Sequence, residues 1–327
     1  MVATLPATLR LAFFGTPDFA VPTLQRLLAS RHAVVGVVTQ PDKPRGRGQQ
    51  VSESPVKAVA VAHDVPVLQP QRLKTPGFMD TLRAWNVDLG VVAAYGRIIP
   101  EEVLAIPRLG MINVHASLLP KYRGAAPVHR AVIDGERETG VTIMRVEKML
   151  DAGPMIAKVT RPIGPDETSD VVERDLAQLG ATLLVEVVDR FAAGDDERGE
   201  LQDFMICSYA HRLTKEEGVI DWTLPAAYIH NRVRGLYPWP HACTYLDGAR
   251  LIILKTRVED EPPEGGPGAG APPGTVVDVS RDAIHVATGH GGRIAIEQLQ
   301  AEGKRPMAAR DFLAGRPVKV GARFSGT

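Results

Sequence analysis

The sequence predicts an α/β domain, built on a mostly parallel sheet with helices on both faces, followed by a small antiparallel β-domain. Three observations carry that expectation. Continuous apolar runs alternate with helical stretches through the first part of the chain; one long amphipathic helix then ends in breakers and charges; and beyond it the pattern changes to short strand-like runs. The 327 residues suit two domains at roughly 150 residues each.

Residues 9–15 read as a buried strand that stops at Gly15. Thr16-Pro17-Asp18 then opens a helix: Thr16 can accept an orphan N–H, Pro17 suits a first helical turn, and Leu24, Leu27 and Leu28 follow. Residues 33–39 form a second apolar run rich in valine, with 88–95 a third and 111–116 a fourth. Runs that are apolar throughout, not alternating, are what strands covered on both faces need, which favours parallel pairing with helical crossovers. From Ser169 to Phe191, Val172, Leu176, Leu179, Leu183, Val187 and Phe191 step by three or four, one face of a long helix. Gly194-Asp-Asp-Glu-Arg-Gly-Glu200 ends it. Strands are expected over 250–258, 274–279, 283–288 and 293–299, and the Glu-, Pro- and Gly-rich stretch 259–273 reads as a mobile surface loop. The expected division is a first domain over 1–193, a linker over 194–212 and a second domain over 213–327.

Composition narrows the class. Hydrophobic residues are 44% and charged residues 23% of the chain, enough to bury a core. Two cysteines, Cys207 and Cys243, supply neither a disulfide scaffold nor a four-ligand zinc site. No apolar run approaches the roughly 18 residues of a membrane span, and residues 1–8 are too few for a signal or transit peptide. The expectation is a soluble, cytoplasmic protein without a membrane partner; no heptad or repeat demands an oligomer, so a monomer is expected.

Lys+Arg 38 balances Asp+Glu 38, so an acidic partner would have to be met by a local patch. From Gly303 onward Lys304, Arg305, Arg310, Arg316, Lys319 and Arg323 face a single acid, Asp311. That run is either a solvated surface or a phosphate-contacting face. A second basic element, Lys43, Arg45 and Arg47, sits in a Gly/Pro-broken loop after the second strand, where open α/β sheets carry ligand-handling loops.

The segment best suited to chemistry is Met111-Ile-Asn-Val-His-Ala-Ser-Leu-Leu-Pro120. Alternate side chains of a strand share a face, so Asn113 and His115 point the same way. An amide beside an imidazole in a buried strand is costly unless both are satisfied; a core pair bonded to backbone and a catalytic pair are both open on this ground. Asp151, in Leu150-Asp-Ala-Gly153, lies in a turn that could fold back toward that strand. The three residue types suit transfer of an acyl or formyl group to an amine: an amide N–H for the oxyanion, an imidazole for the proton, a carboxylate to orient the imidazole. No metal is called for. A G-x-G-x-x-G after the first strand, a P-loop, an H-E-x-x-H and a G-x-S-x-G are all missing from the sequence.

Phe14-Gly-Thr-Pro-Asp-Phe19, Gln40-Pro-Asp-Lys-Pro-Arg-Gly-Arg-Gly48, Ala94-Tyr-Gly96, Ile112-Asn-Val-His-Ala-Ser-Leu-Leu-Pro120, Arg123-Gly-Ala-Ala-Pro127, Gly140-Val-Thr-Ile-Met144 and Leu150-Asp-Ala-Gly153 together resemble the methionyl-tRNA formyltransferase family of folate-dependent formyltransferases. The likeness continues through Lys215-Glu-Glu217, Ile220-Asp-Trp222 and Pro238-Trp-Pro240. It implies a Rossmann-like catalytic domain, a linker and an OB-like tRNA-binding barrel. It implies 10-formyltetrahydrofolate as co-substrate and initiator methionyl-tRNA as acceptor, with Asn113, His115 and Asp151 as the catalytic set. Ser117, Leu118, Leu119 and Pro120 would help bind the folate. Arg47, with Lys43 and Arg45 in the same loop, would meet the tRNA acceptor end, and the basic second domain, with Lys304 and Arg305, would hold the rest. One departure is visible: Pro154 follows Gly153 where the family commonly has an acid. A formyltransferase for a small amine, a formyl-folate hydrolase and a non-catalytic RNA-binding protein are the competing readings.

Overall fold

The computed structural model describes residues 8–45, 50–195, 198–259 and 270–326. The chain forms two compact units, one of Met1–Pro127, Glu138–Arg161 and Glu173–His211, the other of Val128–Arg137, Pro162–Val172 and Arg212–Thr327.

The first unit runs β1 (Arg10–Gly15), α1 (Val21–Leu28), β2 (Ala33–Val38), a hairpin of β3 (Lys43–Arg45) and β4 (Gln50–Ser52), α2 (Pro55–Ala62), β5 (Val67–Leu68), α3 (Pro76–Ala84), β6 (Leu89–Ala93), α4 (Glu101–Leu104), β7 (Met111–His115), β8 (Arg123–Gly124), the start of α5 (Pro127–Ile133), β9 (Glu138–Arg145), β10 (Met155–Pro162), most of α6 (Ser169–Ala193) and β11 (Tyr209–Ala210). Its seven-stranded sheet has the order β10-β9-β7-β6-β1-β2-β5. The pairs among β5, β2, β1, β6 and β7 are parallel, and β9 joins β7 antiparallel. Leu11 to Phe14 and all of β6 are buried, as a strand covered on both faces must be. The chain leaves β1 toward β2 on one side and returns to β6 on the other, so the carboxyl ends of β1 and β6 flank the switch point where such sheets hold ligands.

Helix α6 fills the stripe expected of it, with Leu184 and Val188 buried and Leu179 and Leu183 only half-buried. A Cβ at Gly180 would lie 2.8 Å from Val114 Cγ1, so this glycine lets the helix approach β7 closely. The capping role expected of Thr16 is corrected. A single 3₁₀ turn, Asp18–Ala20, precedes α1, and no side chain caps it. The Thr16 hydroxyl instead donates to Tyr95 O (3.2 Å) and accepts from Gln40 N (3.4 Å), drawn into the switch point by the loops on either side.

The second unit contributes α7 (Ala226–Gly235), β12 (Ala242–Leu246), β13 (Ala249–Glu259), β14 (Val276–Val279), β15 (Ile284–Ala287), β16 (Arg293–Ala301), β17 (Met307–Ala308), α8 (Ala309–Gly315) and β18 (Phe324–Ser325). The sheet order is β14-β15-β16-β13-β12-β18, with β17 beside β16, and the pairs are antiparallel. Val276 N to Ala322 O, Gly321 N to Val276 O and Phe324 N to Gly274 O (all 2.8 Å) bring the two edges together, which curls the sheet into a barrel-like form. Trp222, Leu251, Ile253, Val276, Val286, Ile296 and Phe324 are among its core, with Trp222 stacked on Phe324 at 5.6 Å. Most of the expected loop, residues 260–269, lies outside the described residues.

The sequence predicts a linker over 194–212. In the structure residues 198–211 belong to the first unit. Met155 and Glu200 exchange backbone hydrogen bonds of 2.8 Å, and β11 pairs in parallel with β8.

Candidate active site

His115 closes β7 and is only 5% exposed. Its Nε2 lies 2.9 Å from Tyr122 O. A carbonyl only accepts, so Nε2 carries a hydrogen and Nδ1 is the free position of the neutral ring. Nδ1 faces Asp151 Oδ2 at 3.7 Å, with 14% of the Asp151 side chain exposed. Two residues earlier, Asn113 is half-buried on the same strand face, and its side chain makes no hydrogen bond among the described residues. The structure therefore brings the imidazole and carboxylate together and leaves a neighbouring amide available.

Asp151 sits in the turn between β9 and β10 with φ +49°, a left-handed conformation unusual for a residue with a Cβ. Gly124 N donates to its Oδ2 at 2.9 Å. Gly153 is required where it stands, since a Cβ there would lie 2.1 Å from Arg145 O. Pro154 costs the loop a donor, yet its carbonyl accepts from Arg145 N at 2.8 Å. Gln202 Nε2 donates to Asp151 O (2.9 Å) and Gly153 O (2.7 Å), while its Oε1 accepts from Arg123 Nε (3.0 Å) and Nη2 (2.7 Å).

At the switch point, Gln40 Nε2 donates to Tyr95 O at 2.8 Å. The buried Tyr95 ring stands edge-on to Phe14 at 5.7 Å, and burial pushes its phenol pKa up. The loops after β1, β2 and β6 thus meet at the carboxyl edge of the sheet.

The other expected site residues are placed as follows. Ser117, Leu119 and Pro120 are buried and Leu118 is half-buried. The Ser117 hydroxyl donates to Lys121 O (2.7 Å), and Thr142 Oγ1 donates to Ser117 O (2.7 Å) and accepts from Leu119 N (3.1 Å). Lys158 Nζ donates to Leu119 O at 2.7 Å. The polar groups of this turn are largely engaged within the fold, which narrows what it can offer a ligand. Lys43 is exposed, with Nζ donating to Gln40 Oε1 at 2.9 Å. Arg45 lies in β3, and Arg47 lies outside the described residues. Lys304 and Arg305 are exposed in the turn after β16, in the second unit. Among the described residues, no group of three or more His, Cys, Asp or Glu is placed to hold a metal ion.

Sequence reasoning missed Tyr122, Arg123, Gln202 and Ser208. Arg123 stood in a quoted motif without a role; Gln202 and Ser208 carried no signal, lying in a stretch that reads as a linker.

A doubly wound sheet with an Asn-x-His strand end and a carboxylate folded against the imidazole has the form of a group-transfer enzyme. Residues 9–188 match the formyl transferase family, and residues 212–317 match the formyl transferase C-terminal domain; the chain belongs to the formyl transferase family. Its relatives include the methionyl-tRNA formyltransferase of Trichlorobacter lovleyi, 47% identical over 312 residues that cover 95% of this chain and 96% of that one. That of Methylococcus capsulatus is 47% identical over 305 residues, 93% of this chain and 96% of its own. The fold is shared with WlaRD, a sugar 3N-formyl transferase crystallised with dTDP and 5-N-formyl-THF (TM-score 0.65, 18% identity, 91% of this chain and 99% of that one). It is also shared with an N-formyltransferase from Helicobacter canadensis in complex with folinic acid and dTDP-3-aminofucose (TM-score 0.64, 17% identity, 90% and 100%).

Proposed function

We propose that the chain transfers the formyl group of 10-formyltetrahydrofolate to the α-amino group of methionine on initiator methionyl-tRNA, yielding N-formylmethionyl-tRNA for translation initiation, and that Asn113, His115 and Asp151 perform the chemistry. The observation that carries the assignment of residues is the 3.7 Å approach of His115 Nδ1 to Asp151 Oδ2 beside an unengaged Asn113 amide. The first unit is read as catalytic; the second unit, with Lys304 and Arg305, and the loop bearing Lys43, Arg45 and Arg47 are read as holding the tRNA.

The neutral α-amino group attacks the formyl carbon. Negative charge grows on the formyl oxygen, and the Asn113 side-chain N–H donates to it, with His115 adding a favourable charge as it takes up the amine's proton. The amine then gives up a proton, which His115 or a water held by Asp151 passes to the departing folate nitrogen. Asp151 keeps the imidazole oriented, with Oδ2 3.7 Å from Nδ1. The turn from Ser117 to Pro120 shapes the folate side of the crevice, with Leu118 the residue of the four least enclosed by the fold. The reading includes a cytoplasmic site of action and a monomeric enzyme; sizing of the purified chain checks the second. No helix among the described residues is long and apolar enough to cross a membrane.

The test is incubation with charged initiator and elongator methionyl-tRNAs and 10-formyltetrahydrofolate, scoring formyl-methionine on each. Formylation of the initiator alone is expected; equal formylation of both, or of neither, would remove the tRNA assignment.

A further inference from the structure

The inference deepens the proposed function and rests on it. We infer that Gln202, far along the chain from the catalytic strand, is a positioning residue that sets the Asp151 carboxylate against His115. Gln202 is 4% exposed, and all four hydrogen-bonding positions of its amide are used. The two sides also fix which way the amide points. Arg123 has only donors, so it must face Oε1; Asp151 O and Gly153 O only accept, so they must face Nε2. An amide so oriented holds the backbone on both sides of Ala152, and with it the left-handed Asp151 whose side chain meets His115.

Arg123 supplies the other end. Its side chain is fully buried, its guanidinium lies over the Phe204 ring at 4.6 Å, and its Nη1 is buried with no hydrogen-bond partner among the described residues. A buried cation is costly unless it is paired or hydrogen-bonded. Here the charge is directed at the Gln202 carbonyl, which polarises the amide and strengthens the two bonds its N–H groups make. Arg123 is also joined by one peptide bond to Gly124, the donor to Asp151 Oδ2. Carboxylate and backbone of Asp151 are therefore held by one connected set of bonds.

The histidine is held from the same stretch of chain. Ser208 Oγ accepts from Tyr122 N (2.9 Å), and Ser208 O accepts from Arg123 N (2.8 Å). These bonds fix the turn in which Tyr122, at φ +61°, presents its carbonyl to His115 Nε2. Residues 198–211 thus brace both members of the pair, with Gln202 as the brace on Asp151.

The test is a set of substitutions read as rate per folded enzyme. Gln202→Glu keeps the shape and the acceptors for Arg123 but loses both donors to the Asp151 turn; Gln202→Met keeps only the volume. Single-turnover formylation should fall roughly ten- to hundredfold in each, the scale of a misplacement of about 1 Å. The KM values for tRNA and folate should stay within about threefold. In an Asp151→Asn background the same changes should cost less than about twofold, because the group being positioned is already gone. A wild-type rate in Gln202→Glu, an equal loss in both backgrounds, or a loss confined to KM would overturn the inference. Failure of both variants to fold would also overturn it, by assigning Gln202 to the fold alone. A wild-type enzyme that formylates no methionyl-tRNA would refute the function, and with it the role of Gln202 in that reaction.

Discussion

Asp151→Asn isolates the charge facing His115. The substitution preserves shape and leaves an oxygen able to accept from Gly124 N, which is 2.9 Å from Oδ2. What it removes is a negative charge 3.7 Å from Nδ1. Two unit charges at that distance attract by about 4.5 kcal/mol at an effective dielectric near 20, an upper bound on what the carboxylate contributes to an imidazolium formed at the transition state. At 1.36 kcal/mol per factor of ten, that is roughly three powers of ten in rate. The expected loss in the single-turnover formylation rate is therefore about 10²- to 10³-fold. Both side chains are largely enclosed, at 5% and 14% exposed, so added salt should change the ratio of the two enzymes little. The assay is rapid mixing of enzyme, charged initiator tRNA and 10-formyltetrahydrofolate, with melting curves to confirm equal folding. A loss below about threefold in a folded variant would show that the carboxylate does not act on the imidazole, and the mechanism would need another source of orientation.

Three further outcomes are expected. Asn113→Ala and His115→Ala should each slow the chemical step by about 10²–10³ with little change in tRNA affinity; near-normal single-turnover rates in both would reject their assignment. Arg47→Ala should raise KM for the tRNA and flatten the log–log salt dependence of binding by about one unit, because one phosphate contact fewer releases fewer counterions; an unchanged slope measured by filter binding would indicate that the loop does not touch phosphate. In the second unit, Arg130 forks onto Glu217 with Nη1–Oε2 2.5 Å and Nη2–Oε1 2.9 Å, and that bond holds the Glu217 carboxyl below its ordinary 4.5. A depressed folded pKa stabilises above the unfolded value and is lost as pH falls through the folded one. The Tm gap between wild type and Glu217→Gln should therefore be widest near neutrality and close below about pH 4.5; a gap that stays constant with pH would show that the ion pair adds nothing.

The amino-acid order by itself determined the elements whose burial is local. Leu11 to Phe14, Val37 and Val38, and Val91 and Val92 are apolar throughout because strands of a sheet covered on both faces have no solvent side, and the structure buries all of them. The helix from Ser169 follows from its period of 3.6, and the strands around Leu251, Ile284 and Ile296 from short apolar runs bounded by breakers. The two-residue spacing of Asn113 and His115 likewise sufficed to put them on one face, since that is a property of any strand. What tertiary structure alone decided is everything that depends on bonds across long loops. Gln202 meets Asp151 across 51 positions, and Ser208 meets Tyr122 across 86. Nothing local marks such residues, because a lone glutamine or serine beside an apolar run such as Phe204-Met-Ile206 serves equally well in water. The short strands β12, β17 and β18 and helix α8 escaped notice for a related reason: two to seven residues carry too little periodicity, and their places are set by the partners that close the barrel. Thr16 shows the same effect in reverse, a residue of good capping chemistry drawn instead to Tyr95, 79 positions away.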